Sequence, residues 1–155
     1  MKLRNNLSIE LNEYCDRINK HSKAFLNKDL IKSIELIKKV KKAKSKIILF
    51  GNGGSSSIAN HVAIDLCKVA NIKAITFNES NLITCFSNDY GYQNWMKKSL
   101  EYHLNPKDLV IFISSSGNSK NNVIAAKYCK KKNVKIVTLT GFSKFNPLKK
   151  FGNVN

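Results

Sequence analysis

The chain has 155 residues, 43% of them hydrophobic, enough for one packed domain and too many for a wholly disordered polypeptide. Its 27 basic and 10 acidic residues give a net charge of +17, a balance that on its own points to nucleic acid or an acidic surface. Only Arg4 and Arg17 are arginine, the residue suited to bidentate phosphate and base contacts. The 25 lysines, 20 asparagines and 16 isoleucines share A/T-rich codons, so the charge is read as compositional bias and a nucleic-acid partner is not expected.

From the N-terminus, the polar start Met1–Asn6 has no apolar core of a signal peptide. No later run approaches the ~20 apolar residues that cross a bilayer, so a cytoplasmic protein without membrane contact is expected. Leu7, Leu11, Tyr14, Ile18, His21 and Phe25 follow a three-to-four spacing and predict a helix. A second helix carries Leu30, Ile31, Ile34, Ile37 and Val40, with Asp29 as its expected cap. Residues 1–45 are thus an N-terminal helical segment and 46–155 a second unit. There the pattern alternates. Lys46–Phe50, Ile72–Phe77, Asp108–Ile113 and Val134–Leu139 read as strands, and Ser56–Ala70, Tyr92–His103 and Ser119–Lys132 as helices. Leu82–Phe86 is too short to assign. The strands are apolar on both faces, as in a parallel sheet covered by helices, which predicts a doubly wound α/β fold. Asn146–Phe151 reads as a short helix and Gly152–Asn155 as the opening of another strand, so an incomplete sheet is expected. Cys15, Cys67, Cys85 and Cys129 have no zinc-type spacing and are expected to be small buried hydrophobes.

Two strand-to-helix junctions share one chemical design: Gly51-Asn52-Gly53-Gly54-Ser55 and Ser114-Ser115-Ser116-Gly117-Asn118-Ser119. Small residues permit positive φ and close backbone approach. Hydroxyls and N–H groups meet at a helix N-terminus, where the amides lack intrahelical partners and the dipole favours an anion. Neither loop has the lysine of a Walker A motif. The third glycine of a dinucleotide fingerprint is missing, as is an acidic residue about 20 positions on. No nucleotide cofactor is expected; a small phosphorylated ligand fits better. Read singly, either loop could be an ordinary turn.

These loops, with His61 and Asp65 on the intervening helix, Asn88-Asp89-Tyr90-Gly91 and Thr138-Leu139-Thr140-Gly141, resemble the sugar isomerase (SIS) domain family, and within it the phosphoheptose isomerases. The resemblance runs over about residues 5–150. It implies a flavodoxin-like sheet with N-terminal helices that assemble a homotetramer. It also implies isomerisation of sedoheptulose 7-phosphate for bacterial surface polysaccharide. By the same resemblance Ser55, Ser114, Ser115, Ser116 and Ser119 bind phosphate, and Asn52, Gly53 and Asp89 meet the sugar. Asp89 could equally serve a turn or helix cap.

His61 and Asp65 are four apart and share a helix face. Alone, such a pair is usually a surface pair. In the resembled family the corresponding pair is His with Glu, acting as base or as zinc ligands, so both residues are candidates for catalysis and for a metal. Asp65 is one methylene short of that Glu, a setback of roughly 1 Å that can lower a rate about 10²-fold. The family's C-terminal Gln and His have no counterpart in this sequence, so impaired catalysis is expected. The alternative is a non-catalytic SIS module that binds a sugar phosphate or a replication initiator protein.

Overall fold

The structure, a computed structural model, describes the backbone of residues 2–24 and 27–155 and the side chains of 6–22 and 27–155. Two compact units divide the chain, Met1–Lys32 and Ser33–Asn155. The boundary between these units falls inside the second helix.

In the first unit, helix α1 spans Lys2–Ala24. Its apolar stripe is present at the expected spacing, but Leu7, Leu11, Tyr14 and Ile18 are all about half exposed. Phe25, the last predicted member of that stripe, lies outside the described residues. Helix α2 spans Lys28–Lys42. Its cap is Asn27, not Asp29: the Asn27 Oδ1 accepts the N–H groups of Asp29 and Leu30, both at 2.9 Å. Asp29 instead sits in the first turn, where its charge still suits the helix dipole.

The second unit is a parallel sheet of β1 (Lys46–Phe50), β2 (Lys73–Thr76), β3 (Leu109–Ser114) and β4 (Lys135–Thr140), in the order β2-β1-β3-β4. Between them run α3 (Gly54–Lys68), α4 (Ser80–Tyr90), α5 (Trp95–His103) and α6 (Lys120–Lys131). The short apolar stretch 82–86 is the middle of α4. The residues preceding α5, Tyr92–Asn94, form a 3-10 turn. Asn146–Phe151 contains a shorter 3-10 turn, Leu148–Lys150. Past it, Val154 makes a single parallel bridge to Val137 on the outer edge of β4.

Strand alternation sorts the core into two layers. Ile47 and Leu49 of β1, with Leu109, Ile111 and Ile113 of β3, face α2 and α3 and pack with Val40, Ala59 and Ala63. Ile48 and Phe50, with Val110 and Phe112, face the other way, onto Trp95, Met96, Leu100, Ala125 and Cys129. Phe50 centres an aromatic group, with ring centroids 5.7 Å from Phe112 and 5.9 Å from both Phe77 and Trp95.

At the N-terminal ends of β1 and β3, Asp108 joins the two strands. Its carboxylate accepts from Lys46 Nζ at 2.6 Å, Ser45 Oγ at 2.6 Å and the Asn105 N–H at 2.8 Å. Burial works to raise the Asp108 pKa, but these hydrogen bonds outweigh it and hold the carboxyl below its ordinary value.

The cysteines depart from expectation. Only Cys129 is buried, its thiol pushed up to about 12 by burial. Cys15, Cys67 and Cys85 are exposed. The short polar contacts of Cys67 Sγ with the Ala74 backbone (3.3 and 3.4 Å) show why exposure is tolerated there: the sulfur works as a weak donor and acceptor, not as core filling.

Candidate functional site

Because all four strands are parallel, the loops after β1 and β3 emerge at the same sheet edge. With β1 placed between β2 and β3, the connections diverge there, the position where open α/β sheets hold ligands. Between these loops is a cleft of about 310 Å³ lined by Asn52, Ser55, Ile113, Ser114, Ser115, Ser116, Ser119 and Phe142. Every serine singled out from sequence, together with Asn52, lines it. No lining side chain is ionisable, so the donors available to an anion are hydroxyls, an amide and backbone N–H groups. Neither α3, entered through Gly53, nor α6, entered through Ser119, has a side-chain cap hydrogen bond. In α3 the Ser55, Ser56 and Ser57 N–H groups already close on the Asn52 and Gly53 carbonyls, and in α6 the Asn122 N–H goes to Asn121 Oδ1, so any amide offered to a ligand comes from ahead of these at each helix start.

The loop after β3 is held by a dense set of backbone bonds. The Gly117 N–H donates to both the carbonyl oxygen and Oγ of Ser114 at 3.2 Å. The Asn118 N–H donates to Ser116 Oγ at 3.2 Å. From outside the loop, the Gly141 N–H reaches the Ser115 carbonyl at 3.0 Å and the Leu148 N–H the Gly117 carbonyl at 3.1 Å. Gly117 has φ 64°, and a Cβ there would stand 2.2 Å from Asn146 Oδ1. Asn146 is itself buried and tied to Thr140, Ser143 and Lys149.

The loop after β1 turns at Gly53, φ 51° and ψ −126°, a conformation that glycine adopts without strain. Gly53 shapes the turn and does not line the cleft. Asn52 reaches across to Asn121 on α6 in a reciprocal amide pair, each Nδ2 donating to the other's Oδ1 at 3.0 Å. The Tyr92 hydroxyl donates to Asn52 Oδ1 at 3.2 Å. Sequence reading missed Asn121, because Lys120-Asn121-Asn122 is indistinguishable from any polar first turn. Tyr92 was visible only as the residue following the Asn-Asp-Tyr-Gly stretch.

Two further predictions fall outside the cleft. Asp89 sits in the last turn of α4, exposed, with Oδ1 accepting from Asn88 Nδ2 at 2.9 Å. His61 and Asp65 do meet on α3, His61 Nε2 being 3.3 Å from Asp65 Oδ2, but their side chains are 77% and 53% exposed. As a donor pair they have zinc-type chemistry, yet a tetrahedral site takes four ligands. Among the described residues no group of three or more His, Cys, Asp or Glu could hold a metal ion. His61 and Asp65 thus supply two of the four donors that a tetrahedral zinc site takes.

The SIS domain family matches residues 12–141. The chain belongs to the SIS domain family. Among relatives of this SIS domain, the phosphoheptose isomerase of Akkermansia muciniphila is 37% identical over 107 residues, 64% of this chain and 56% of that protein. Phosphoheptose isomerase 2 of Campylobacter jejuni is 36% identical over 119 residues, 72% of this chain and 58% of the relative. The chain thus spans a little over half the length of either. In fold it is similar to the phosphoheptose isomerase GmhA from Neisseria gonorrhoeae, with TM-score 0.86 and 23% identity over 97% of this chain and 81% of that one. A phosphoheptose isomerase from Francisella tularensis gives TM-score 0.83 and 24% identity over 93% and 79% of the two chains. The parallel, helix-covered sheet expected from sequence is the fold of this SIS domain.

Proposed function

We propose that this SIS domain serves a sugar-phosphate aldose–ketose isomerase, with sedoheptulose 7-phosphate as the substrate, supplying heptose for surface polysaccharide. The observation that carries this reading is the convergence of Ser55, Ser114, Ser115, Ser116 and Ser119 on one cleft at the starts of two helices. The names of the curated relatives support the substrate class.

Such an isomerisation moves a proton between adjacent carbons through an enediol, and needs a base, a proton donor to oxygen and a grip on the phosphate. The serine loops grip the phosphate, and Asn52 meets a sugar oxygen. Asp65 is the proposed base, with His61 as its hydrogen-bonding partner. Along α3, His61 lies roughly 9 Å and Asp65 roughly 15 Å from Ser55 at ~1.5 Å per residue. The exposed stripe of α1 is assigned to self-association, with a homotetramer as the expected state.

Following sedoheptulose 7-phosphate by NMR tests the reading. Purified protein should bind the ketose and convert it to the aldose slowly, as the set-back Asp65 carboxylate predicts. Asp65→Asn should slow conversion at least about 10²-fold with little change in binding. Binding with no conversion in the wild-type chain would reassign the cleft to sugar-phosphate sensing. No binding would dismiss the reading.

A further inference from the structure

We propose that Asn121 is a positioning residue that fixes Asn52 as a hydrogen-bond donor to a substrate oxygen, an assignment that rests on reading the serine cleft as a sugar-phosphate site. The polarity is set from the backbone. The Asn122 N–H can only donate, and it bonds Asn121 Oδ1 at 2.9 Å. That contact decides which end of the Asn121 amide is oxygen. The NH₂ end therefore meets Asn52, and only one orientation of Asn52 completes the reciprocal pair at 3.0 Å on both sides. Asn121 is 2% exposed, so water does not substitute for its partner. Tyr92 adds its hydroxyl to Asn52 Oδ1 at 3.2 Å.

The consequence is an inventory of what Asn52 has left. Its Oδ1 accepts from Asn121 and Tyr92, which fills both lone pairs. Its Nδ2 gives one hydrogen to Asn121 and keeps the other. Asn52 lines the cleft beside Ser55, so the group it can offer a ligand is an N–H, and the ligand atom it selects is an oxygen with a free lone pair. A flipped Asn52 would set its NH₂ against that of Asn121. Asn121 thus determines the polarity of the site without touching the ligand, and Tyr92 reinforces it from the rim.

The test is a double-mutant cycle on the full chain, titrated with sedoheptulose 7-phosphate and, separately, with inorganic phosphate. Asn121→Ala should weaken the sugar phosphate roughly 5- to 10-fold, the worth of one hydrogen bond, and leave inorganic phosphate within about two-fold. In the Asn52→Ala background the same change should not further discriminate sugar phosphate from inorganic phosphate, because Asn121 reaches the sugar only through Asn52, while the Asn122 N–H it also releases bears on both ligands alike. Tyr92→Phe, at a residue 55% exposed, should cost about two- to three-fold and also vanish in that background. Should Asn121→Ala fail to fold, the Tyr92 cycle decides by the same criterion. Additive losses, or equal losses for both ligands, overturn the positioning role while leaving the cleft reading intact. If the wild-type chain does not bind sedoheptulose 7-phosphate, the cleft reading falls, and the role of Asn121 with it.

Discussion

The loop after β3 is tied down by its own serines, by Gly141, by Leu148 and by the buried Asn146. The loop after β1 has open space around Gly53 and reaches the rest of the site through one side chain, Asn52. Both present hydroxyls and amides to the same cleft, so they differ in bracing rather than in chemistry. A preformed anion site needs at least one rigid wall, because donors already aimed at the ligand need not be ordered on binding. In the proposed phosphate site the loop after β3 would be that wall. The loop after β1 is set against it by the Asn52–Asn121 pair.

Replacing the positive-φ glycine of each loop separates these roles. Gly117→Ala should be the most damaging change, about 3–5 kcal/mol, because left-handed strain adds to a clash with a pinned Asn146. Gly53→Ala meets no neighbour and should lose only the conformational part, about 1–2 kcal/mol. Chemical denaturation of both variants checks the difference, and equal losses would erase the contrast. Asp108→Asn is the control at the opposite end of the strands. It should cost about 2–3 kcal/mol at neutral pH by leaving Lys46 without its partner, the partial exposure of Lys46 softening the penalty. Ligand affinity should not change. Since the folded-state pKa of Asp108 lies below the unfolded value of about 3.9, its stabilisation is complete above that pH and is lost as pH falls through the lower value. The wild-type advantage over Asp108→Asn should therefore be flat from pH 5 to 8 and shrink below about pH 4. The smallest effect belongs to single hydroxyls. Ser119→Ala should weaken sugar-phosphate binding by about 1 kcal/mol, with stability unchanged, because its Oγ caps nothing in α6. Unchanged affinity would remove Ser119 from the phosphate site.

The strands were legible in the sequence because both faces are covered: Ile47, Ile48, Leu49 and Phe50 are all fully buried, and a short unbroken apolar run of β-favouring residues suits the centre of a parallel sheet. The serine loops were legible because glycine and serine at a strand–helix junction have a specific backbone use. What escaped was whatever depends on packing between distant segments. Asn27 and Asp29 are both competent caps, and the register of the first turn decided between them. The stretch 82–86 is helical through flanks that carry little apolar signal. Asn121 and Asn52 are 69 positions apart, and nothing in either neighbourhood announces the other. The exposed cysteines are a reminder that residue type sets an average burial, not an individual one.

The two core layers have a bearing on how the domain opens. The loop after β1 leads into α3 on one side of the sheet, and the loop after β3 leads into α6 on the other. An anion gripped by both loops is consequently a rivet through the sheet. Peeling away either helical layer would carry off half of its donors, so occupancy would discourage partial unfolding from the front and from the back alike.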